Sequence, residues 1–120
     1  MDKEFTKDDF FFGLSSMHNG ESPGVDGVPY EFYKVTWNIV GDDFCVRAHE
    51  ISSIGSLSKS LNQGLIEIIP NNVARDSIGG WCPMTLLSVA YKIVAKALTP
   101  RVREVSKKVV HQEQIGFVLD

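Results

Sequence analysis

Apolar residues recur at helical spacing through the first half of the chain. Phe10, Leu14 and Met17 follow one another at intervals of four and three residues, and Thr6 with two acidic residues behind it is typical of a helix N-terminus. We therefore predict a helix over residues 6–18. A second helix is predicted over 29–40, opened by Pro29 and ended by Gly41, and a third over 43–53.

The middle of the chain has a different pattern. Residues 65–70 are apolar and β-branched up to Pro70, which predicts a strand, and 81–86 is predicted as the returning strand of a hairpin. Pro83 restricts that second strand to an edge or a strand end. Helical spacing resumes over 87–109, where we expect Pro100 to break or kink the helix. The predicted fold class is α+β, with helices packed around a β-hairpin.

Several aromatic and acidic side chains allow two interpretations. Tyr30, Tyr33 and Trp37 could stack on nucleic-acid bases, but aromatic residues at helical spacing are more often core residues. Asp26 precedes Gly27, and a turn explains that pair better than catalysis does. We also expect apolar surface to be left uncovered, and the segment 10–17 or the segment 117–119 to be loosely held.

Composition adds a distribution of charge to this picture. The chain has 120 residues, 43% of them hydrophobic, and a net charge of −3, values that fit one globular domain and exclude a collagen-like or long disordered chain. Residues 1–45 carry −6 and residues 46–120 carry +3. The predicted last helix is basic, which indicates either a solvated helix face or a strip that contacts phosphates. Its bases are Lys92, Lys96, Arg101, Arg103, Lys107 and Lys108.

The cysteines and histidines are too few and too scattered for a disulfide framework or a zinc site. Cys45 and Cys82 form no C-x-x-C pair, so we expect reduced thiols and no bound metal. This favours an intracellular setting and leaves nucleus or cytoplasm open. The acidic N-terminus lacks a signal-peptide pattern, and charged residues interrupt the longest apolar runs, so no membrane contact is predicted.

Four stretches, in this order, resemble one family. They are SPGVDGVPYEFYK at 22–34, LNQGLIEIIP at 61–70, WCPMTLLSVAYKIVAKAL at 81–98 and HQEQIGFV at 111–118. They are similar to the elements SPGxDGxPxEFYK, LNQGLIxLIPK, WRPISLLNxxYKIxAKxL and HxxQxGFV of the reverse transcriptases of non-LTR, LINE-type retrotransposons, with plant members most similar. One such stretch would be weak, but four collinear ones are a specific signal.

The resemblance implies that the chain is the fingers region of an RNA-directed DNA polymerase, a nucleotidyltransferase, without its palm. In that family the hairpin closes over the incoming nucleotide, and basic residues hold the triphosphate. The partners implied are an RNA or DNA template-primer and a palm region outside this chain; no small-molecule substrate is expected to bind the chain alone. Candidate nucleic-acid or nucleotide contacts are Arg75, Lys92, Lys96, Arg101, Arg103 and Gln114.

The sequence departs from the family at positions that matter for chemistry. The lysine expected after Pro70 is Asn71, and the arginine expected after Trp81 is Cys82. Cysteine cannot replace a guanidinium on phosphate. In the family the aspartates that bind Mg²⁺ follow the last of the four stretches, so we assign no catalytic residue, no metal ligand and no cofactor to this chain, and expect it to be inactive alone.

Three hypotheses remain open at this point. The chain is a polymerase fragment with some affinity for template or primer, a small nucleic-acid-binding module that uses the basic helix, or a remnant of a degenerate element with no biochemical role. Salt-dependent binding of nucleic acid would favour the first two, and cooperative unfolding would count against the third.

Overall fold

Three α-helices and one β-hairpin make up the computed structural model, which describes residues 3–71 and 77–110. The elements in chain order are α1 (Lys7–Ser15), α2 (Tyr30–Ile54), β1 (Gly64–Pro70), a short 3₁₀ turn (Ile78–Gly80), β2 (Trp81–Leu87) and α3 (Val89–Val109). Helices, a two-stranded antiparallel sheet and a final helix give an α+β arrangement. No helix in the described part of the chain combines the length and the apolar character that crossing a membrane requires.

The first helix begins at the residue that the sequence predicts. Thr6 is its N-cap, and Thr6 Oγ1 accepts a hydrogen bond of 3.3 Å from the backbone N–H of Asp9. The Asp9 carboxylate accepts in return from the backbone N–H of Thr6 at 2.8 Å, which completes a capping box. The helix ends at Ser15, three residues before the predicted end, and Ser16 is its C-cap.

The capping carboxylate makes stability depend on pH. The backbone N–H of Thr6 is the main group that holds the pKa of Asp9 below its usual range. Burial, the next largest effect, raises this pKa, and the Thr6 hydroxyl and then the Arg101 guanidinium lower it. An acid whose pKa is lower in the folded state stabilises the fold above its unfolded pKa of about 4 and loses that contribution as pH falls through the folded value.

We expect Asp9→Asn to lower the free energy of unfolding at pH 7, and the difference from wild type to shrink as the pH falls below about 4. Urea unfolding of wild type and variant at several pH values measures this difference in free energy. Asp8→Asn is the matched control, since it removes a charge from the same helical turn without removing the capping hydrogen bonds. Equal pH dependence in the two variants would contradict the assignment to the cap.

The second helix corrects the prediction of two helices over 29–40 and 43–53. It runs without a break from Tyr30 to Ile54, with Pro29 as N-cap and Gly55 in the left-handed conformation at its end. Gly41, the predicted stop, is buried inside the helix. A Cβ there would lie 2.6 Å from Lys7 Cε and 3.1 Å from the Trp37 ring. The glycine therefore permits close packing with α1, which offsets the roughly 1 kcal/mol that glycine costs in a helix.

The core lies where α1 packs on both of the longer helices. Phe10 and Leu14 of α1 are each 1% exposed, whereas Phe11 is 47% and Phe12 59% exposed, so part of the apolar surface of 10–17 is uncovered. How tightly this segment is held stays a prediction, and 117–119 lies outside the described residues. Trp37 and Tyr30 are buried as predicted, and Tyr33 is half-buried against the core. The other core members are Met17, Val89, Ile93 and Ala97. Spacing identifies an apolar face but not how well its partners cover it.

The hairpin pairs β1 and β2 from Gly64 opposite Leu87 to Pro70 opposite Trp81. Each strand includes one residue more than the predicted ranges 65–70 and 81–86. Side chains of β1 are exposed on both faces of the sheet, with Ile66 at 66% and Ile68 at 61%. The last helix starts at Val89, with Ser88 as N-cap, and continues through Pro100 to Val109. Pro100 therefore does not break it, and the alternative of a kink stays a prediction.

Candidate nucleic-acid interface

The loop before α2 docks on the junction between β2 and α3. Gly24 is buried there, and a Cβ on it would lie 2.4 Å from the backbone nitrogen of Ser88 and 2.7 Å from the carbonyl carbon of Leu87. Only glycine permits this approach of two backbones. The contact brings the stretch 22–34 onto the stretch 81–98, while β1 within 61–70 pairs with β2. Three of the four family-like stretches therefore meet.

Two lysines of α3 hold neighbouring loops. Lys92 Nζ donates to the Ser22 carbonyl at 3.0 Å and lies 3.9 Å from Glu21, and Lys96 Nζ donates to the Ser16 carbonyl at 3.1 Å. Both side chains are half-buried, so this part of the helix is not the fully solvated face that one of the two interpretations describes. An ammonium group has three donors, and contact with phosphate remains a prediction for both.

Arg101 fastens the N-terminal segment to α3. Its guanidinium lies over the Phe5 ring, 3.7 Å from the centroid, and donates to the carbonyls of Lys3 and Glu4. It also lies 3.5 Å from the Asp9 carboxylate. These contacts anchor the N-terminal segment, and the predicted contact of Arg101 with nucleic acid stays a prediction. No sequence pattern linked Arg101 to Phe5, because the two are almost the whole chain apart.

On the α2 side, the same segment is held by His49. His49 Nε2 donates to the Phe5 carbonyl at 2.6 Å, and Cys45 Sγ lies 3.9 Å from that same nitrogen. Burial, and after it the nearby Asp42, raises the pKa of the Cys45 thiol. The thiol therefore stays protonated at neutral pH, which argues against nucleophilic chemistry at this place. Cys82 is likewise a free thiol.

The remaining bases of α3 are exposed. Arg103, Lys107 and Lys108 extend into solvent on the second half of the helix. These three are accessible to an anionic partner without breaking any contact with the loops that Lys92 and Arg101 hold. Of these three, the sequence predicted only Arg103 as a contact and missed Lys107 and Lys108. It could not separate them from Lys92, Lys96 and Arg101, because the segments that occupy those bases are distant in the chain.

The two altered family positions lie at one end of the hairpin. Cys82 pairs with Ile69, and the Asn71 backbone N–H donates to the Gly80 carbonyl at 2.7 Å, which extends the pairing by one step. Alternation along paired strands places Asn71 and Cys82 on the same face. Two other candidates, Arg75 and Gln114, lie outside the described residues.

Acidic groups do not assemble into a metal site in residues 3–71 and 77–110. No three His, Cys, Asp or Glu side chains gather there in a way that could hold an ion. No catalytic step is assigned to these residues.

Comparison with known proteins relates the chain to a transposon. It is 33% identical over 114 residues to a Xenopus laevis protein described as transposon TX1 uncharacterized 149 kDa protein. The match covers 95% of this chain, and the chain spans 9% of the length of that relative. No family model matches the chain. A transposon-derived protein is thus what the similarity indicates.

Proposed function

We propose that the chain is the fingers region of an RNA-directed DNA polymerase from a LINE-type retrotransposon, which contacts template-primer and nucleotide and has no polymerase activity by itself. The observation that carries the proposal is the meeting of three family-like stretches around the β2–α3 junction, where Gly24 docks and β1 pairs with β2. The similarity to a transposon protein over 95% of the chain supports the transposon origin in this proposal.

The physical role proposed is positioning. Phosphoryl transfer depends on holding the reacting groups in line and neutralising their charge, and a separate set of aspartates would hold the metal ions. What this chain offers is a hairpin beside a basic helix, with Arg103, Lys107 and Lys108 exposed. A surface of this kind can hold a nucleic-acid backbone while another part of a polymerase does the chemistry.

Binding of a labelled RNA template annealed to a DNA primer tests the proposal. We expect fluorescence anisotropy to show binding that weakens as KCl is raised, because cations at the interface release counterions from the phosphates. Arg103→Gln is expected to reduce the slope of log K against log salt by about one. Lys59→Gln is the control, since it removes the same charge from the loop between α2 and β1. A slope near zero, or equal effects of the two variants, would overturn the proposal.

A second candidate, a small nucleic-acid-binding module, is favoured by the same exposed bases of α3. The hairpin distinguishes the two candidate functions: in a polymerase fingers region it would bind the triphosphate of a nucleotide, whereas in a simple nucleic-acid-binding module it would not. Primer extension with Mg²⁺ adds a further check on the first candidate: the chain alone is expected to incorporate no nucleotide above a no-protein control.

A further inference from the structure

A groove runs beside the crossing of α1 and α3. The two helices approach backbone to backbone at Gly13, where a Cβ would lie 2.6 Å from the Ile93 carbonyl oxygen and 3.2 Å from the Ala97 nitrogen. Next to this crossing is a space of about 580 Å³. Its walls include Phe12 of α1, the C-cap Ser16, and Lys96, Pro100, Arg103 and Lys107 of α3.

The groove carries positive charge along one side. Lys96, Arg103 and Lys107 are separated by seven and four residues, which places them on one face of α3. Glu104 also lines the groove, so cations outnumber acids there by three to one. The Ser16 carbonyl fixes Lys96 Nζ at the α1 wall. Arg103 and Lys107 lie about 6 Å apart along the helix axis, so both can reach one anionic chain.

The opposite wall presents an aromatic ring. Phe12 is 59% exposed, although a phenylalanine gains most when it is buried. Its neighbour Phe11, 47% exposed, lies against Trp37 with ring centroids 6.3 Å apart. Phe12 instead lines the groove opposite the cations of α3. An exposed ring facing a row of cations is the combination that binds single-stranded nucleic acid, since bases stack on the ring and phosphates meet the cations.

We propose that this groove, defined by Phe12, Ser16, Lys96, Pro100, Arg103 and Lys107, binds a single strand of nucleic acid. A base stacks on Phe12 and the backbone follows Lys96, Arg103 and Lys107. A duplex is disfavoured because its base faces are covered by neighbouring pairs, whereas a single strand can turn a base onto the ring. The choice of nucleic acid as partner rests on the proposed function; the location and the preference for a single strand go beyond it.

Anisotropy of a fluorescein-labelled 12-mer of oligouridine, titrated with the 120-residue chain, tests the groove. Phe12→Leu keeps an apolar side chain but removes the π face, and we expect it to weaken binding about fivefold or more. Phe11→Leu, a change at the neighbouring exposed ring that does not line the groove, is expected to leave affinity within about twofold of wild type. Circular dichroism of both variants confirms that the helices remain.

The charged wall has its own matched pair. Lys107→Gln is expected to reduce the slope of log K against log salt by about 0.7, the value for one phosphate of a single strand. Lys108→Gln removes the same charge outside the groove and is expected to change this slope by less than half as much. A duplex of the same length should bind more weakly than the single strand.

Three outcomes would overturn the groove assignment. The first is an equal loss of affinity in the two phenylalanine variants, and the second is an equal change of salt slope in the two lysine variants. The third is competition by polyglutamate as strong as that by oligouridine at equal charge, which would indicate an acidic peptide as the ligand. If the wild-type chain binds the template-primer but Phe12→Leu has no effect on the single strand, the groove assignment alone fails. If the wild-type chain binds neither, the proposed function fails as well.

Discussion

Gly24→Ala is expected to destabilise the fold by about 2–3 kcal/mol, the upper part of the range for inserting a methyl group into a packed contact. The new Cβ would lie 2.4 Å from the Ser88 nitrogen and 2.6 Å from its Cα, and both are backbone atoms that cannot move aside as a side-chain end can. The loop must therefore leave the β2–α3 junction. Urea unfolding measured by tryptophan fluorescence gives the change in free energy.

A matched glycine and a double-mutant cycle make this test specific. Gly79→Ala adds the same methyl group where no atom lies within 4 Å, and it should change stability by no more than about 0.5 kcal/mol. Lys92 donates to the Ser22 carbonyl in the docked loop, so Lys92→Gln should cost less in the Gly24→Ala background than in wild type. Strict additivity, or equal effects at Gly24 and Gly79, would show that the loop is not docked as described.

Local signals were the part of the fold that the sequence predicted well. Thr6 with Asp9 marks the start of α1 through two hydrogen bonds three residues apart, and Pro70 marks the end of β1. The same local signals gave a wrong prediction at Gly41. A glycine at the end of an apolar pattern is typical of a helix end, and the sequence does not show that Lys7 and Trp37 pack against this one. Propensity is a weak prior that tertiary contacts override.

The candidate site was less predictable than the fold. Helical spacing placed Lys92 and Lys96 on one face, but their partners are carbonyls of Ser22 and Ser16, and a carbonyl carries no sequence signature. Arg101 lies on Phe5 through a contact that spans most of the chain. Charge density along a sequence therefore located a basic helix without showing which bases remain accessible. The groove at Phe12 needed the crossing at Gly13, which only the packing of α1 on α3 reveals.

Restoring the two family bases on the hairpin, Asn71→Lys with Cys82→Arg, is expected to strengthen binding of inorganic triphosphate about tenfold or more. The two positions lie on one face at one end of the hairpin, where the Asn71 N–H meets the Gly80 carbonyl and Cys82 pairs with Ile69. Hydrogen bonds to charged groups contribute about 1.5–3 kcal/mol each, and screening by solvent reduces this value at the hairpin surface. A tenfold change in affinity needs only about 1.4 kcal/mol from the two new side chains together. Isothermal titration of the double variant with sodium triphosphate measures the gain.

Charge alone would raise affinity for any polyanion, so the control must add the same charge elsewhere on the hairpin. Asn62→Lys with Thr85→Arg does this: Thr85 pairs with Ile66 on the opposite face, and Asn62 precedes β1 at the far end of the pairing. If the hairpin holds a triphosphate in the way the polymerase assignment requires, only the first double variant gains the tenfold. Equal gains in both would reduce the effect to net charge and favour the simple nucleic-acid-binding module, in which the hairpin contributes nothing to nucleotide binding.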